Sequence, residues 1–412
     1  MRAMLLLFLW LPLMSPAQST VRVASYNVLN FPTGTMPDRQ DTLAVILEDI
    51  QPDLLLLQEL KSAEGLAMIV EESCAGLPGT WMASDYVPLQ SNPNSSWPLQ
   101  QALAYNNEVL GMIEEDVILT SYRDVNAYRM FVRDQVTLDG DTTFLNVFVT
   151  HLKSSQGAEN EAIRLAMVQD FVAALQAYDP EVPAIFAGDF NLYSSNEPAY
   201  QTILSPDNPV VFLDPIDAPG EWSEASFGQP HLLTQSTRTS QIYGDGAGGG
   251  LDDRFDFAML STPFFETTSA LQYVEGSYVA YGNSGSCYNQ SFVQCQDGGA
   301  TVSNAVNWAL YHMSDHLPIV FDLSTSTPLS VEEPEVESSG AAVLLLGDAL
   351  QIQAPPQWRG EVTVYSADGR LLQATLPAQH GMRIPASIGS GVVVVHLHDT
   401  AGQVYVSRHV LP

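Results

Sequence analysis

The 412-residue sequence predicts a large α/β unit followed by a small all-β module, and three observations carry that expectation. Near-continuous apolar runs such as Asp53-Leu54-Leu55-Leu56-Leu57, Phe144-Leu145-Asn146-Val147-Phe148-Val149 and Val182-Pro183-Ala184-Ile185-Phe186-Ala187 read as strands buried on both faces. Two other stretches space their apolar residues as amphipathic helices do. After Leu323 the composition turns polar and rich in Pro and Glu, and beyond this linker short β-type runs alternate with turns.

In chain order, Met1-Arg2-Ala3, an apolar stretch to Met14 and Ser15-Pro16-Ala17 read as a secretory signal over residues 1–17, with Gln18 the mature start. The apolar run is well short of the ~20 residues needed to span a bilayer, and no later segment is long enough. Val21-Arg22-Val23-Ala24 is a strand leading to Ser25-Tyr26-Asn27-Val28. A helix over Arg39–Ile50 puts Leu43, Ile46, Leu47 and Ile50 on one face and ends at Gln51-Pro52, because the residue before proline is pushed out of helical geometry. The leucine strand leads to Gln58-Glu59-Leu60, and the run ending at Val149 leads to Thr150-His151-Leu152-Lys153-Ser154. From Asn160 to Tyr178, Ile163, Met167, Phe171, Ala174 and Leu175 form the apolar stripe of a second helix. The run ending at Ala187 leads to Gly188-Asp189-Phe190-Asn191. Gly244 to Gly250 lacks the Lys-Ser/Thr of a P-loop and leads into a strand, so it reads as a flexible connector. Ser314-Asp315-His316-Leu317-Pro318 opens the strand Ile319-Val320-Phe321. Residues 341–412 read as a small β-sandwich.

The polar ends of these strands are of one chemical kind: carboxylates, carboxamides and histidines that cluster if the sheets stop together. Hard oxygen ligands suit Mg²⁺, Mn²⁺ or Ca²⁺, and the histidines suit proton movement at a phosphate. In their order, these motifs resemble the endonuclease/exonuclease/phosphatase superfamily, whose fold is that of pancreatic-type deoxyribonuclease. The resemblance runs from about Val21 to Leu323 and is most specific at Gln58-Glu59, Gly188-Asp189-Phe190-Asn191 and Ser314-Asp315-His316-Leu317-Pro318. It implies two mixed β-sheets packed face to face and flanked by helices, a four-layer sandwich over residues 18–324. Glu59 is then the leading metal ligand, with Asn27 and Asp315 beside it, and Asn27 is also placed at the substrate. His151 and His316 would bind the scissile phosphate and move protons. Asp256, in Leu251-Asp252-Asp253-Arg254-Phe255-Asp256-Phe257, would orient His316. Either Asp189 or His151 would activate the water, and Asn191 would donate to phosphate. Arg129 resembles an arginine that precedes the strand before the histidine motif. Tyr105 reads either as a phosphate contact or as a core tyrosine. Trp308, Tyr311 and His312 read as wall or packing residues.

Composition narrows the partners. A formal net charge of −32 and a pI near 4.2 leave no basic stripe of the kind nucleic-acid binders use to replace counterions. The two lysines, Lys61 and Lys153, and the arginines Arg129 and Arg254 fall near the motif segments. Three cysteines without a Cys-x-x-Cys pair argue against zinc; a Cys287–Cys295 disulfide stapling a loop, with Cys74 free and buried, is expected. The tail, after a linker over residues 325–340, resembles the C-terminal domain that addresses proteins to the type-nine secretion system. Val364-Tyr365-Ser366-Ala367-Asp368-Gly369-Arg370, Ser390-Gly391-Val392-Val393-Val394 and Arg408-His409-Val410 carry that resemblance. A carbohydrate- or partner-binding β-module is the other reading of this tail. The resulting expectation is a monomeric, secreted or cell-surface, metal-dependent phosphodiesterase, an extracellular nuclease first. A lipid-headgroup or sugar-phosphate phosphoesterase of the same fold is the alternative, and a catalytically dead binding protein a third.

Overall fold

The structure is a computed structural model that describes residues 20–33, 36–133, 142–295 and 301–325, together with the strands of the C-terminal region. The signal segment and the linker fall outside these residues. The chain forms two compact units, Met1–Pro328 and Leu329–Pro412.

In the first unit the elements run β1 (Thr20–Phe31), α1 (Arg39–Ile50), β2 (Leu54–Leu60), α2 (Ala63–Met68), β3 (Trp81–Ala83), β4 (Gln100–Asn106), β5 (Leu110–Ile118), β6 (Val125–Val132), β7 (Phe144–His151), α3 (Ala158–Ala174), β8 (Ala184–Asp189), α4 (Pro198–Ile203), β9 (Phe212–Leu213), β10 (Asp256–Ser261), β11 (Leu271–Tyr273), β12 (Val279–Ala280), α5 (Asn304–Met313) and β13 (Ile319–Thr325). One sheet is ordered β11-β13-β1-β2-β4-β3, with β12 also on β13; the other is ordered β5-β6-β7-β8-β10-β9. Each is mixed, since β1–β2 and β7–β8 pair in parallel and their neighbours antiparallel. The expected α/β sandwich of two mixed sheets is therefore what the chain forms.

The apolar runs explain the layers. Leu54 and Leu56 face the inter-sheet core with Val21, Val23, Val147, Val149 and Ile185, while Leu55 and Leu57 face the outer layer with Leu43, Ile46 and Leu47 of α1. All four leucines are wholly buried, each contributing roughly 1.5–3 kcal/mol. On the second sheet, Phe148 and Phe186 meet Met167, Phe171 and Leu175 of the α3 region. The Arg39–Ile50 helix matches its expected span; α3 starts at Ala158 and tightens into a 3₁₀ turn at Leu175–Ala177. Cys287 and Cys295 form the expected disulfide, and Cys74 is free and buried.

The second unit has two antiparallel sheets, β14 (Ala342–Leu346), β15 (Ala349–Gln353) and β18 (Arg383–Pro385) against β16 (Arg359–Ser366), β17 (Leu371–Gln379), β19 (Gly391–Asp399) and β20 (Val404–Leu411). Leu350, Ile352, Val362, Val364, Val393, Val395 and Leu397 form one apolar cluster. Residues 367–370 and 390 of the sorting-domain resemblance lie outside the described residues, as do the side chains of Arg408, His409 and Val410. Among the described residues no helix is long and apolar enough to cross a membrane.

Candidate active site

Strand pairing alone brings three of the expected residues into one row. His151 ends β7 opposite Asp189 at the end of β8, and Asp189 lies opposite Asp256 at the start of β10. The close approach behind them depends on Gly188: its φ is +145°, and a Cβ there would lie 1.9 Å from the Thr150 carbonyl oxygen. The first sheet supplies the facing residues through irregular edges. The β1–β2 register shifts between Asn27 and Phe31, and the β2–β4 register between Leu57 and Leu60. Such bulges re-aim side chains, here Asn27 and Glu59. Glu59 (φ 61°) and Asn191 (φ 50°) both take the left-handed conformation, which costs roughly 1–2 kcal/mol per non-glycine residue. Four backbone carbonyls, those of Val28, Leu29, Thr33 and Met313, accept from the buried Arg39 guanidinium and hold the bent end of β1.

Asn27 is the hub. Its amide nitrogen donates to Glu59 Oε1 and Asp189 Oδ2, both at 3.1 Å, and lies 3.4 Å from His316 Nε2. Its oxygen accepts from the Leu29 backbone N–H at 3.0 Å. Asn27 therefore turns its NH₂ to the two carboxylates and bridges them as a donor. His151 Nε2 is 3.4 Å and His316 Nε2 3.6 Å from Asp189 Oδ2. His316 Nδ1 contacts Asp256 Oδ2 at 2.7 Å, the orienting contact expected of that pair. Asn191 sits beside Asp189, its amide nitrogen donating to the Leu152 carbonyl at 3.4 Å.

Asp315 Oδ2 accepts from the Ala247 N–H at 2.6 Å and from Gln235 at 3.3 Å, whereas its buried Oδ1 has no partner. Glu59, His151 and Asp189 form a compact set whose ligand atoms lie within 4.8 Å of one another. The expected set was Glu59, Asn27 and Asp315; Glu59 is common to both.

Burial sets the electrostatics. It raises the pKa of Asp189, which the nearby Asp256 and Glu59 charges raise further against the opposing pull of His316. It likewise raises Glu59, with the Asp315 charge adding to the effect. Burial also drives His151 well below its ordinary value, so this imidazole is neutral, and its buried Nδ1 has no partner. For His316 burial opposes the charge, but Asp256 and Asp189 outweigh it and hold the group well above the ordinary histidine value. Gln235 Nε2, the donor to Asp315, also lies 2.5 Å from His316 Nε2.

Two expected residues lie elsewhere. Because β4 runs antiparallel to β2, Tyr105 pairs with Leu54 at the end remote from Glu59, inside the inter-sheet core and with its hydroxyl toward Met82. Arg129 sits mid-strand in β6, exposed, over the Phe144 ring in a separate hollow with Glu114 and Asp179. The arginine that reaches the site is Arg123, two residues before β6. It donates to the Leu152 carbonyl at 2.9 Å and lines the cleft with Glu59 and His151. Arg254 is buried against Asp214 at 3.0 Å. The Gly244–Gly250 segment is a wall: Asp245, Gly246 and Ala247 line the cleft, and the Asp245 carboxylate accepts from Asn30 at 3.0 Å. Gln235 and Asn30, also in the cleft, carried no signal in the sequence. His312 packs on Trp308 at 4.0 Å, as a wall reading expects.

The whole arrangement opens into a cleft of about 580 Å³, with Trp97, Tyr122 and Tyr193 on its sides. No family model matches the chain, and no curated protein matches it. Solved structures are similar in shape. The human Nocturnin catalytic domain with bound sulfate anion is 16% identical, over 75% of this chain and 98% of that chain, at a TM-score of 0.45. An endonuclease/exonuclease/phosphatase from Bacteroides vulgatus is 16% identical over 75% of this chain and 100% of that chain, at 0.47. D. rerio TDP2 complexed with single strand DNA product is 16% identical over 74% of this chain and 100% of that chain, at 0.45.

Proposed function

We propose that this chain is a divalent-metal-dependent phosphodiester hydrolase, an extracellular nuclease by first choice. One observation carries the reading: the ends of both sheets deliver Glu59, His151, Asp189 and His316 to one open cleft, with Asp256 behind His316. The donor set fits a hard cation. Glu59, Asp189 and Asp315 are acidic groups crowded at one floor, Asp315 Oδ1 is an unpartnered buried oxygen, and buried charge is costly unless compensated. Glu59, with Asp315 alongside, would hold the ion. When bound, it would supply positive charge to a phosphate oxygen.

The remaining chemistry belongs to the side chains. Asp189 takes the proton of the attacking water, its Oδ2 oriented by the Asn27 amide and its raised pKa giving it basicity. As the water oxygen bonds to phosphorus, the bond to the leaving oxygen breaks, and His316 Nε2 gives that oxygen its proton. Asp256 holds the ring on its Nδ1 side throughout. Neutral His151 and Asn191 border the same oxygens, and Arg123 adds positive charge.

The test is hydrolysis of plasmid DNA, an RNA, sphingomyelin and a chromogenic diester with Mg²⁺, Mn²⁺ or Ca²⁺. Activity should vanish on chelation and return with Mg²⁺ or Mn²⁺. Full turnover in excess chelator would end the metal assignment, and cleavage of sphingomyelin alone would move the substrate to lipid headgroups. Export belongs to the same proposal and is supported by residues 1–17 and the tail's resemblance. Mass spectrometry of protein in the medium should find Gln18 first and the C-terminal unit removed; an intact tail counts against the sorting role.

A further inference from the structure

The chain has only two lysines, and each lies over an aromatic ring that lines this cleft. Lys61 Nζ is 5.1 Å from the centre of the Trp97 ring, and Lys153 Nζ is 5.8 Å from that of Tyr122. We propose that these lysine–aromatic pairs bind unpaired nucleotides, so that the substrate is a single-stranded nucleic acid. The inference rests on the phosphodiesterase reading and narrows its substrate.

Trp97 is 60% exposed, so its indole gives up the burial that usually places tryptophan inside. The backbone presents it there deliberately. Ser95 Oγ donates to the Trp97 carbonyl and accepts from the Trp97 N–H, both at 3.1 Å, fixing the turn. The segment leading into the turn is clamped in turn by Asp124, a wholly buried carboxylate that accepts from the Gln90 and Ser91 N–H groups at 2.8 and 2.7 Å. Asp124 follows Arg123, so one short segment positions both a cation at the floor and the loop carrying the ring. A nucleotide offers a phosphate joined to a flat base, and an ammonium beside an exposed ring offers the complement of each. Base stacking on an aromatic side chain is tolerant of sequence and worth about 1–3 kcal/mol per base.

A duplex would use this surface poorly. Its bases are already stacked, leaving Trp97 nothing to cover it, and its affinity depends on many phosphate contacts. Arg39, Arg164, Arg238 and Arg254 are all buried, the exposed Arg129 sits in a separate hollow, and the exposed Arg133 donates to Asn107. Around the cleft Lys61, Lys153 and Arg123 remain.

The experiment uses the full chain carrying His316→Ala, to keep substrate intact, and fluorescence anisotropy of a labelled single-stranded oligonucleotide. Adding Trp97→Ala should weaken binding roughly tenfold, within the span of one lost base stack. Trp97→Phe should restore most of it, and a strand of equal length with abasic residues should bind the His316→Ala parent as weakly as the ordinary strand binds the Trp97→Ala form. Equal affinity with and without Trp97, or a blunt duplex bound as tightly as its single strand, overturns the inference. The hydrolysis reading fails separately, on wild-type protein that cleaves no diester. If wild type hydrolyses a chromogenic diester while no oligonucleotide binds, the activity stands and the nucleotide subsites are refuted.

Discussion

At the residue scale, the His316–Asp256 contact is the most consequential single pair. A carboxylate 2.7 Å from Nδ1 fixes which nitrogen faces the cleft and favours the charged ring. His316→Ala should lower kcat by about 10²–10⁴-fold, the usual worth of a positioned acid, with the fold intact by circular dichroism. The pH profile tests the electrostatics. Asp189 must be ionised to accept a proton, and its pKa is raised, so the acid limb should lie above that of an ordinary carboxylate. His316 must be protonated to give one, and its pKa is also raised, so activity should persist above the ordinary histidine value and fall only as pH rises through the higher one. Asp256→Asn removes the charge that lifts His316, so its residual activity should lose the alkaline end first. A wild-type limb falling at or below the ordinary histidine value, unmoved by Asp256→Asn, would refute this role. The pair was legible in the sequence through the residues flanking it. Arg123 was not: nothing in Ser121-Tyr122-Arg123-Asp124 sets it apart until the strands are paired. Arg129, placed by its resemblance to an arginine that precedes the strand before the histidine motif, lies mid-strand in β6.

At the element scale, the site exists because strand ends and bulges coincide, and strand ends are what apolar runs reveal. The runs before Glu59, His151 and Asp189 marked where each strand stops. They could not show direction relative to a neighbour, which depends on non-local pairing, and that direction decides between the two readings of Tyr105 in favour of the core: the end of β4 nearest Glu59 is Gln100. Loops that become walls were hidden too, since Gly244–Gly250 has the composition of a connector and acquires its place only through contacts such as Ala247 with Asp315. Gly188 ties β7 to β8 most tightly. Gly188→Ala forces a Cβ into the Thr150 carbonyl from a left-handed backbone, so it should cost on the order of 3 kcal/mol or more. A urea midpoint equal to wild type would show that the β7–β8 spacing is not what holds His151 level with Asp189.

For the whole molecule, charge decides how a polyanion can be held. A net charge of −32 repels nucleic acid at a distance, and binding has to come from local features that overcome it. Arg129 and Arg254, which fall near the motif segments in sequence, face a separate hollow and Asp214 respectively. Lys61, Lys153 and Arg123 are the cations placed near the cleft, so about three phosphates is the most the protein side can neutralise. Counterion release scales affinity with salt by about 0.7 log units per phosphate for a single strand, giving a slope near −2. The slope should be shallow for a second reason: stacking on Trp97 and Tyr122 carries little salt dependence of its own. Measuring log Kd for the His316→Ala protein against log salt, at fixed divalent ion, tests both points together. Lys61→Gln should remove roughly one contact and flatten the slope by about 0.7, while Trp97→Ala should shift the line without changing its slope. A slope several times steeper would mean that phosphates are held by a basic surface outside the cleft, and an unchanged slope in Lys61→Gln would take that lysine out of the binding site.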